Sequence, residues 1–530
     1  AQHSLGGFVV AIPIIGSLII AVMARYGSER IRGHGIPEAI EAILLNGSRV
    51  EPKLAILKPL SSAISIGSGG PFGAEGPIIM TGGAFGSLIA QFLHLTSAER
   101  KTLLVAGAAG GMSATFASPA AAVLLAFELL LFEWKPRSLL PVALASMTAA
   151  VLRHYWIGPA PLFPTASHEA FIGANGAVLC VVVGLLAGLL SIGLTVSVYF
   201  FEDAFHKLPI HWMWWPAIGG LFVGLGGLLF PEALGVGYAT IGVLLQGDAP
   251  MRLIVGVLLV KWAIWAIALG SGTSGGVLAP LLMIGGALGG LEAAVFPGYG
   301  VGFWPILSMA ATLGGTMRSP FTAILFALEL THEFNMLFPL MIAVFMAYGL
   351  TTLMMKRSIL TEKVSRRGFH LSREYAVDPL EIIFVREVMR TNLVVLSPAR
   401  DASDWSPLHQ LDRMAQRLFP VVDGAGAFLG LVTAKDVPQF LTERSAGGNP
   451  STLNRTPVVA YPDEPLRAVV NRMAEHGLTR LPVVAPDNSS QLLGMISLRD
   501  LLHARSRNLT EERHRERTLR IRFLEREAPG

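Results

Sequence analysis

Residues 67–77 read GSGGPFGAEGP, and residues 270–280 read GSGTSGGVLAP. Both stretches fit the pattern GSG-x3-G-x3-P, and every matched position is displaced by 203 residues. A second pair of segments follows in the same order, because SPAAAVLLAFEL at 118–129 matches SPFTAILFALEL at 319–330 with a displacement of 201 residues. Two composite matches at nearly equal displacement predict a duplicated unit of about 200 residues, with repeats at about 8–200 and about 210–355.

Both predicted repeats are apolar and contain few charged residues. Of the 530 residues, 52% are apolar and 15% are charged, whereas a soluble domain carries about 25% charged residues. Residues 1–355 hold 15 Lys and Arg and 16 Asp and Glu, but the shorter segment 356–530 holds 26 and 21. Several apolar runs are shorter than the about 20 residues of a simple transmembrane helix, or are interrupted by Gly and Pro. This pattern predicts a polytopic α-helical domain in the lipid bilayer over residues 1–370, followed by a polar C-terminal part.

A basic cluster directly after the last apolar run sets the predicted orientation. It consists of Lys356, Arg357, Lys363, Arg366 and Arg367. Because cytoplasmic flanks of membrane helices are enriched in Lys and Arg, we expect a multi-pass protein of the plasma or inner membrane with its C-terminal part in the cytoplasm. The same cluster accounts for the net charge of +4 without a nucleic-acid partner. The chain opens directly in an apolar stretch, so we expect the natural protein to begin before Ala1.

The sequence lacks several signatures of enzymes. It contains no GxxxxGK[ST], HExxH or CxxC motif. The single cysteine, Cys180, lies in the apolar run AVLCVVVGLLAGLL, which excludes an intramolecular disulfide and indicates a packing role. We therefore expect no enzyme activity, no metal and no required cofactor.

Three segments share one plan, a glycine-rich stretch followed by a proline and an apolar run. They are GHGIPEAIEAILL at 33–45, GAEGPIIMTGGAFGSLIAQFL at 73–93 and GGVLAPLLMIGGALGGL at 275–291. Since proline is common at the first helical position, each segment predicts a helix N-terminus with free N–H groups and a positive dipole end. Three such ends meeting between two repeats would bind an anion without a full positive charge. The alternative is that Gly and Pro only allow close helix packing.

Ionisable residues within the apolar part are candidates for function because they are costly in a membrane. Glu75 lies in the second of the three segments, where a carboxylate would take the place of a permeating anion. We interpret Glu75 as a gate, with a simple partner of the helix dipole as the alternative. Glu128 and Glu329 occupy equivalent repeat positions near the ends of apolar helices, so we expect them to bind buried backbone ends. Lys58 either draws anions inward or extends to the membrane surface.

These motifs resemble those of the CLC family of chloride channels and chloride/proton antiporters. GHGIPE resembles the family's GSGIPE, GAEGP resembles GREGP, GGVLAP resembles GGIFAP, and RSPFTAILFALELT and SILTEKVSRRG also look like family segments. The resemblance implies a homodimer with one anion path per subunit and inverted-topology repeats, and it makes Glu75 the external gating glutamate. It also implies that the backbone amides of Val277 and Leu278 bind the central anion. The full set of anion-binding positions that it implies is His34, Gly35, Ile36, Gly276, Val277 and Leu278.

Three positions depart from the family pattern. His34 replaces the anion-binding serine, and Leu360 replaces the anion-binding tyrosine, so both hydroxyl donors are lost. Leu129 stands where antiporters have an internal proton-transfer glutamate. His34 could donate an N–H to the anion and make transport sensitive to pH, or it could be packed aside. The sequence therefore leaves a chloride/proton antiporter and a passive chloride channel as open alternatives, and it leaves nitrate, bicarbonate and fluoride open as substrates beside chloride.

The polar part contains a second duplication, which resembles a pair of CBS domains at 385–441 and 455–503. FPVVDGAGAFLGLVTAKDV at 419–437 parallels LPVVAPDNSSQLLGMISLRDL at 481–501. In that family the Ser/Thr and Asp of G-x2-[ST]-x2-D hold the ribose of an adenine nucleotide such as ATP or AMP, which implies a regulatory ligand here. The matching residues are Thr433, Asp436, Ser497 and Asp500.

Thr433 and Ser497 would also serve as helix caps with no ligand bound, so nucleotide binding stays open. The tail at 504–530 has a mixed-charge helical pattern, typical of a solvated or dimer-contacting helix. A more remote alternative for the whole chain is a membrane-anchored nucleotide sensor that conducts no ions.

Overall fold

The computed structural model describes residues 6–44, 48–93, 95, 97–131, 136–169, 172–296, 298–366, 380, 383–396, 416–445 and 450–515. These residues divide into two compact units, one before residue 367 and one after residue 379. The first unit holds the predicted duplication of apolar segments, and the second holds the predicted CBS pair.

The described residues of the first unit form seventeen α-helices joined by short loops. The first-repeat helices are α1 (Ala11–Tyr26), α2 (Ile36–Leu44), α3 (Leu54–Gly67), α4 (Glu75–Phe92), α5 (Ser97–Phe116), α6 (Pro119–Leu125) and α7 (Pro136–Trp156). They are followed by α8 (Gly173–His206), α9 (Trp215–Leu229), α10 (Tyr238–Leu245), α11 (Met251–Gly256), α12 (Trp262–Gly270), α13 (Leu278–Val295), α14 (Phe303–Met317), α15 (Pro320–Thr331), α16 (Leu337–Met354) and α17 (Ile359–Arg366). Short π-helical segments, Ala126–Leu131 and Val257–Lys261, extend α6 and join α11 to α12.

Helix length separates simple membrane spans from helices that end within the membrane. Six helical runs of the described residues are long and apolar enough to cross a bilayer, the longest being Gly173–His206 with 34 residues. Three apolar runs are shorter, namely Leu54–Gly67, Pro119–Leu131 and Pro320–Thr331. At a rise of about 1.5 Å per residue they cannot cross a hydrocarbon core of about 30 Å. Their free backbone ends must therefore be bonded by other parts of the protein.

Two glutamates satisfy the free ends of the short helices α6 and α15. The Glu128 carboxylate accepts hydrogen bonds from the backbone N–H groups of Phe321 at 3.2 Å and Thr322 at 2.8 Å. The Glu329 carboxylate accepts bonds from the N–H groups of Ala120 at 2.9 Å and Ala121 at 2.8 Å. The structural role predicted for both glutamates is confirmed.

This reciprocal contact also fixes the relation between the repeats. The C-terminal end of each short helix meets the N-terminal end of the other, so α6 and α15 run antiparallel. Because they are equivalent helices of the two repeats, the repeats have inverted topology, as predicted.

Equivalent glycines in the two repeats allow neighbouring helices to pack closely. A Cβ atom at Gly86 of α4 would lie 2.1 Å from the carbonyl oxygen of Leu103 in α5. A Cβ atom at Gly289 of α13, 203 residues later, would lie 2.3 Å from the carbonyl oxygen of Trp304 in α14. Glycine at these positions lets the backbones of neighbouring helices touch, as in other membrane helix pairs.

The second unit contains two antiparallel hairpins with adjoining helices. Strand β1 (Leu418–Val422) pairs with β2 (Phe428–Thr433), and β3 (Arg480–Ala485) pairs with β4 (Asn488–Ser497). The described helices are α18 (Val385–Val388), α19 (Val437–Ser445), α20 (Leu466–His476) and α21 (Leu498–Arg515). Residues 516–530 of the predicted tail lie outside the described residues.

The order of elements confirms the α/β duplication. Val421 pairs with Gly430 in the first hairpin, and Val483 pairs with Gly494 at the matching place in the second. Each hairpin also receives a parallel bridge from an upstream residue, Leu396 to Val421 and Ala460 to Val483. The two halves of this unit are therefore built on one plan.

The glutamate contacts between α6 and α15 predict a specific loss of stability. Changing Glu128 to Leu leaves the N–H groups of Phe321 and Thr322 without their acceptor, at a cost of about 1–3 kcal/mol for each unsatisfied group. We expect a clearly lower melting temperature of the detergent-purified protein, measured by intrinsic fluorescence. Glu128→Gln, which keeps one amide oxygen as an acceptor, is the control and should melt between the two. Equal melting of Glu128→Leu and the unchanged protein would contradict this role.

Candidate functional site

Three glycine-rich loops meet where α2, α4 and α13 begin. Gly33 forms a parallel bridge with Ser274, in which its N–H donates to the carbonyl of Thr273 at 3.2 Å and its carbonyl accepts from the N–H of Gly275 at 3.3 Å. Gly73 and Gly276 form an antiparallel bridge with N–H to carbonyl distances of 3.1 and 2.7 Å. The three segments that the sequence singled out are thus joined by backbone hydrogen bonds across the two repeats.

The loops approach one another too closely for side chains at key positions. A Cβ atom at Gly76 would lie 1.6 Å from the carbonyl oxygen of His34. Gly35 has φ of +89°, and a Cβ atom there would lie 2.6 Å from the carbonyl oxygen of Gly76. Glycine at Gly35 thus serves both the left-handed backbone and the close approach of the loops.

The predicted anion-binding amides differ in whether they are already bonded. The N–H of Gly276 donates to the carbonyl of Gly73, and the N–H of Gly35 donates to the Glu38 carboxylate at 2.8 Å. Within the part of the chain that the structure describes, the N–H groups of Val277 and Leu278 have no acceptor. These two amides stand at the N-terminus of α13, where the helix dipole favours an anion.

Glu75 is the first residue of α4, and its carboxylate lies at the N-terminus of α13. Its side chain is buried, with 1% of its surface exposed, and Oε1 accepts a hydrogen bond from the N–H of Ala279 at 3.1 Å. Oε2 has no partner among the described residues. A carboxylate from one repeat therefore occupies the helix end of the other repeat, next to the two free amides.

Two buried lysines hold the backbone behind these loops. Lys58, on α3, is fully buried and donates to the carbonyls of Ile31 and Gly33, both at 2.8 Å. This contact shows that Lys58 does not extend to the membrane surface, which was one of its two predicted roles. The other role, drawing anions inward, stays a prediction.

The second lysine, Lys261, was missed by the sequence analysis. It is also fully buried, and it donates to the carbonyls of Ala233 at 2.9 Å and Gly235 at 2.6 Å. Its displacement of 203 residues from Lys58 is the signal that could have found it.

The two lysines have different charged surroundings. Lys58 lies within electrostatic range of Glu38 and Lys363, whereas Lys261 lies within range of Glu75. Tyr238, the first residue of α10, also lies within range of Glu75, and its hydroxyl is buried without a partner among the described residues. The second repeat thus places a positive charge and a free hydroxyl donor near the proposed gate.

The three residues that depart from the family pattern are all buried. His34 is 4% exposed and its Nδ1 atom has no partner among the described residues, so the ring is available for a hydrogen bond. Leu360 and Leu129 are fully buried among apolar side chains. Leu129 is next to Glu128, whose carboxylate is bonded to the start of α15.

Comparisons with known proteins agree with the fold and with the arrangement of the candidate site. Residues 16–352 match the family described as "Voltage gated chloride channel". The chain belongs to this family. Residues 385–442 and 452–507 each match the CBS domain. Membership of the family makes this chain a membrane protein of anion transport.

Curated relatives include channels and exchangers of the same family. "Chloride channel protein CLC-e" of Arabidopsis thaliana is 26% identical, over 90% of this CLC chain and 77% of the relative. "H(+)/Cl(-) exchange transporter ClcA" of Yersinia pestis is 29% identical, over 62% of this chain and 72% of the relative.

Solved structures share the fold. A slow cyanobacterial Cl⁻/H⁺ antiporter aligns with a TM-score of 0.62 at 20% identity, over 68% of this chain and 86% of the other. A eukaryotic CLC transporter aligns with a TM-score of 0.56 at 19% identity, over 93% and 89% of the two chains.

The two matching sites of the CBS pair differ in their contacts. The Thr433 hydroxyl donates to the Asp436 carboxylate at 2.5 Å. The Asp500 carboxylate is bonded by the Ser497 hydroxyl and N–H and also by Arg390, whose Nε donates at 2.9 Å. One carboxylate of the pair is therefore held by an arginine in addition to its hydroxyl neighbour.

Lys261, which lies within electrostatic range of Glu75, predicts a shift in the pH dependence of transport. Lys261→Met removes a positive charge that stabilises the ionised Glu75, so the carboxyl should take up a proton at a higher pH. We expect the pH at which flux is half-maximal to rise by about one unit, measured as anion efflux from liposomes. Lys58→Met is the matched control, because it loses the same kind of carbonyl contacts but acts on Glu38. Equal pH midpoints for the two variants would contradict the assignment.

Proposed function

We propose that this chain moves small anions, chloride first, along a path through the three glycine loops, with Glu75 as its gate. The observation that carries the proposal is the hydrogen bond from the Ala279 N–H to the buried Glu75 carboxylate. A permeating anion needs the same helix end, so the carboxylate and the anion compete for it. Protonation removes the charge of the carboxylate and lets it leave.

The chemistry of the path suits rapid passage of a monovalent anion. The donors at the helix end are backbone N–H groups of Val277 and Leu278, which carry partial charges. The ammonium groups of Lys58 and Lys261 donate to backbone carbonyls behind the loops. They favour an anion by long-range attraction without binding it directly.

Two modes of transport fit this path. Exchange of chloride for protons is supported by the similarity to the exchanger ClcA and to a Cl⁻/H⁺ antiporter of known structure. Passive conduction is supported by Leu129, which cannot carry a proton, and by Glu128, which is bonded to the start of α15. One relative of known structure is described as a CLC-type fluoride/proton antiporter, so fluoride belongs among the anions to be tested.

We further propose a homodimer with a complete path in each subunit and the CBS pair in the cytoplasm. The homodimer with one path per subunit is the arrangement that the family resemblance implies. The cytoplasmic placement rests on the basic residues after α16, of which Lys356, Arg357, Lys363 and Arg366 are described.

The gate assignment predicts how flux depends on pH. Flux of the unchanged protein should rise as the pH falls, because protonated Glu75 leaves the helix end. Glu75→Gln cannot ionise, so its flux should be insensitive to pH between about 5 and 8. The measurement uses chloride-loaded liposomes with a chloride electrode outside and a pH-sensitive dye inside. An uphill movement of protons driven by chloride indicates exchange, and chloride flow at constant pH indicates passive conduction.

A control separates the gate from other buried carboxylates. Glu292 on α13 is 4% exposed but lies fourteen residues after the helix start, so Glu292→Gln should keep the pH dependence of the unchanged protein. The gate assignment fails when Glu75→Gln and Glu292→Gln give the same flux–pH curve. If neither chloride, nitrate nor fluoride moves through the unchanged protein, the non-conducting nucleotide sensor becomes the better description.

The CBS pair supports a second, regulatory proposal in which an adenine nucleotide binds near Thr433 and Asp436. A hydroxyl and a carboxylate are suitable partners for ribose hydroxyls. The Thr433 side chain is exposed and Asp436 is half-buried, whereas Asp500 is buried and bonded to Arg390. We therefore place the ligand at the first of the two matching sites.

This proposal predicts thermal stabilisation by nucleotide. Millimolar ATP or AMP should raise the melting temperature of the full chain in detergent, because a ligand that binds only the folded state stabilises it. Asp436→Asn should abolish the rise, whereas Asp500→Asn should retain it. Loss of the rise in Asp500→Asn alone would move the site to the second half, and no rise in the unchanged protein would contradict nucleotide binding.

A further inference from the structure

A chain of two short contacts connects the last helix of the membrane unit with the first glycine loop. Lys363 of α17 donates from Nζ to Oε1 of Glu38 at 2.6 Å. Oε2 of the same carboxylate accepts from the N–H of Gly35 at 2.8 Å. Residues 325 positions apart are thus joined through one carboxylate, at the start of α2.

Both charges of this pair are shielded from solvent. The side chains of Lys363 and Glu38 are 18% and 4% exposed. Loss of one partner from a buried pair is costly because it leaves the other charge without compensation. The contact therefore acts as a firm link between α17 and the loop.

Helix capping alone accounts for only half of these contacts. A carboxylate in the first turn commonly accepts from a backbone N–H at the helix start, and Oε2 of Glu38 does so. Oε1 has a different partner, and the Lys363 ammonium also lies against the loop itself, because a Cβ atom at Gly33 would come within 2.4 Å of Nζ. The lysine thus contacts the loop both directly and through Glu38.

Helix α17 also contacts helix α8. The Tyr199 hydroxyl on α8 donates to the carbonyl of Ile359 at 2.6 Å. Arg366 stacks over the Tyr199 ring at 4.7 Å and bonds the Asp203 carboxylate. The position of α17, set by α8, is transmitted to the glycine loop by Lys363 and Glu38.

The loop that receives this link carries His34, one of the positions that depart from the family pattern, and Leu360, another of them, lies on α17. With His34 and Leu360 in place of the two hydroxyl residues, anion binding at this loop depends on the placement of its backbone and of the His34 ring. Backbone placement within a few tenths of an ångström decides whether a donor reaches an anion. The residues that fix the backbone therefore gain influence over affinity.

We propose that Lys363, acting through Glu38, is a positioning residue that sets the affinity of the His34–Gly35 loop for a small monovalent anion. This inference rests on the proposed function, because it assumes that anions pass this loop. Lys363 does not bind the anion itself. Its ammonium group binds the Glu38 carboxylate, and that carboxylate accepts the hydrogen bond from the Gly35 N–H of the loop.

The test measures chloride efflux from liposomes at increasing chloride concentration. Lys363→Met should raise the half-saturating chloride concentration about tenfold, equivalent to about 1.4 kcal/mol, and change the maximal rate much less. Lys363→Arg keeps a charged donor and should restore most of the affinity. Arg386→Met is the control, since it breaks an arginine–carboxylate ion pair with Asp463 in the second unit, and it should leave the half-saturating concentration unchanged.

A second variant distinguishes positioning from misfolding. Glu38→Gln keeps an amide oxygen for the Gly35 N–H but loses the ion pair, so it should weaken chloride affinity as Lys363→Met does. The double variant should be no weaker than either single one, because both remove the same interaction. Additive losses, or equal affinities of Lys363→Met and Arg386→Met in a protein that conducts, would overturn the inference. If the unchanged protein conducts no anion, the proposed function fails and the inference falls with it.

Discussion

Within a bilayer no water bonds a free backbone N–H, so every interrupted helix must find its acceptor in the protein or in a permeating ion. This constraint organises the whole membrane unit. At the centre, Gly33 and Gly73 bond the loop at 273–276, and at the short helices Glu128 and Glu329 bond each other's helix starts. The amides of Val277 and Leu278 lack an acceptor in the described residues, and these are the amides that we propose as the anion donors.

The two repeats share a backbone plan but differ in their side chains at the candidate site. Position 75 of the first repeat is a glutamate, and its equivalent in the second repeat is Leu278. The carboxylate therefore exists on one side only, and it lies on the helix end of the other side. The buried lysines show the same asymmetry, because Lys58 has Glu38 and Lys363 as charged neighbours and Lys261 has Glu75. Two repeats of one backbone plan thus carry the proposed gate and the linked loop on one side only.

Much of this could be predicted from sequence because the decisive motifs are local and repeated. The GSG segments located the loops, Glu75 stood out as a charge in an apolar run, and Glu128 with Glu329 matched by displacement. Contacts between distant residues could not be predicted, since nothing in the local pattern pairs Lys363 with Glu38. The direction of a long side chain is also set by tertiary packing. For this reason the sequence left two roles open for Lys58 and did not single out Lys261.

The most direct test of this account locates the anion itself by anomalous diffraction from crystals grown in bromide. Competition between the carboxylate and the anion predicts a bromide peak within hydrogen-bond distance of the Ala279 N–H in Glu75→Gln protein. In the unchanged protein at high pH, that position should hold the Glu75 carboxylate and no bromide. Bromide beside Ala279 in both proteins, or in neither, would contradict the claim that Glu75 and the permeating anion share one helix end.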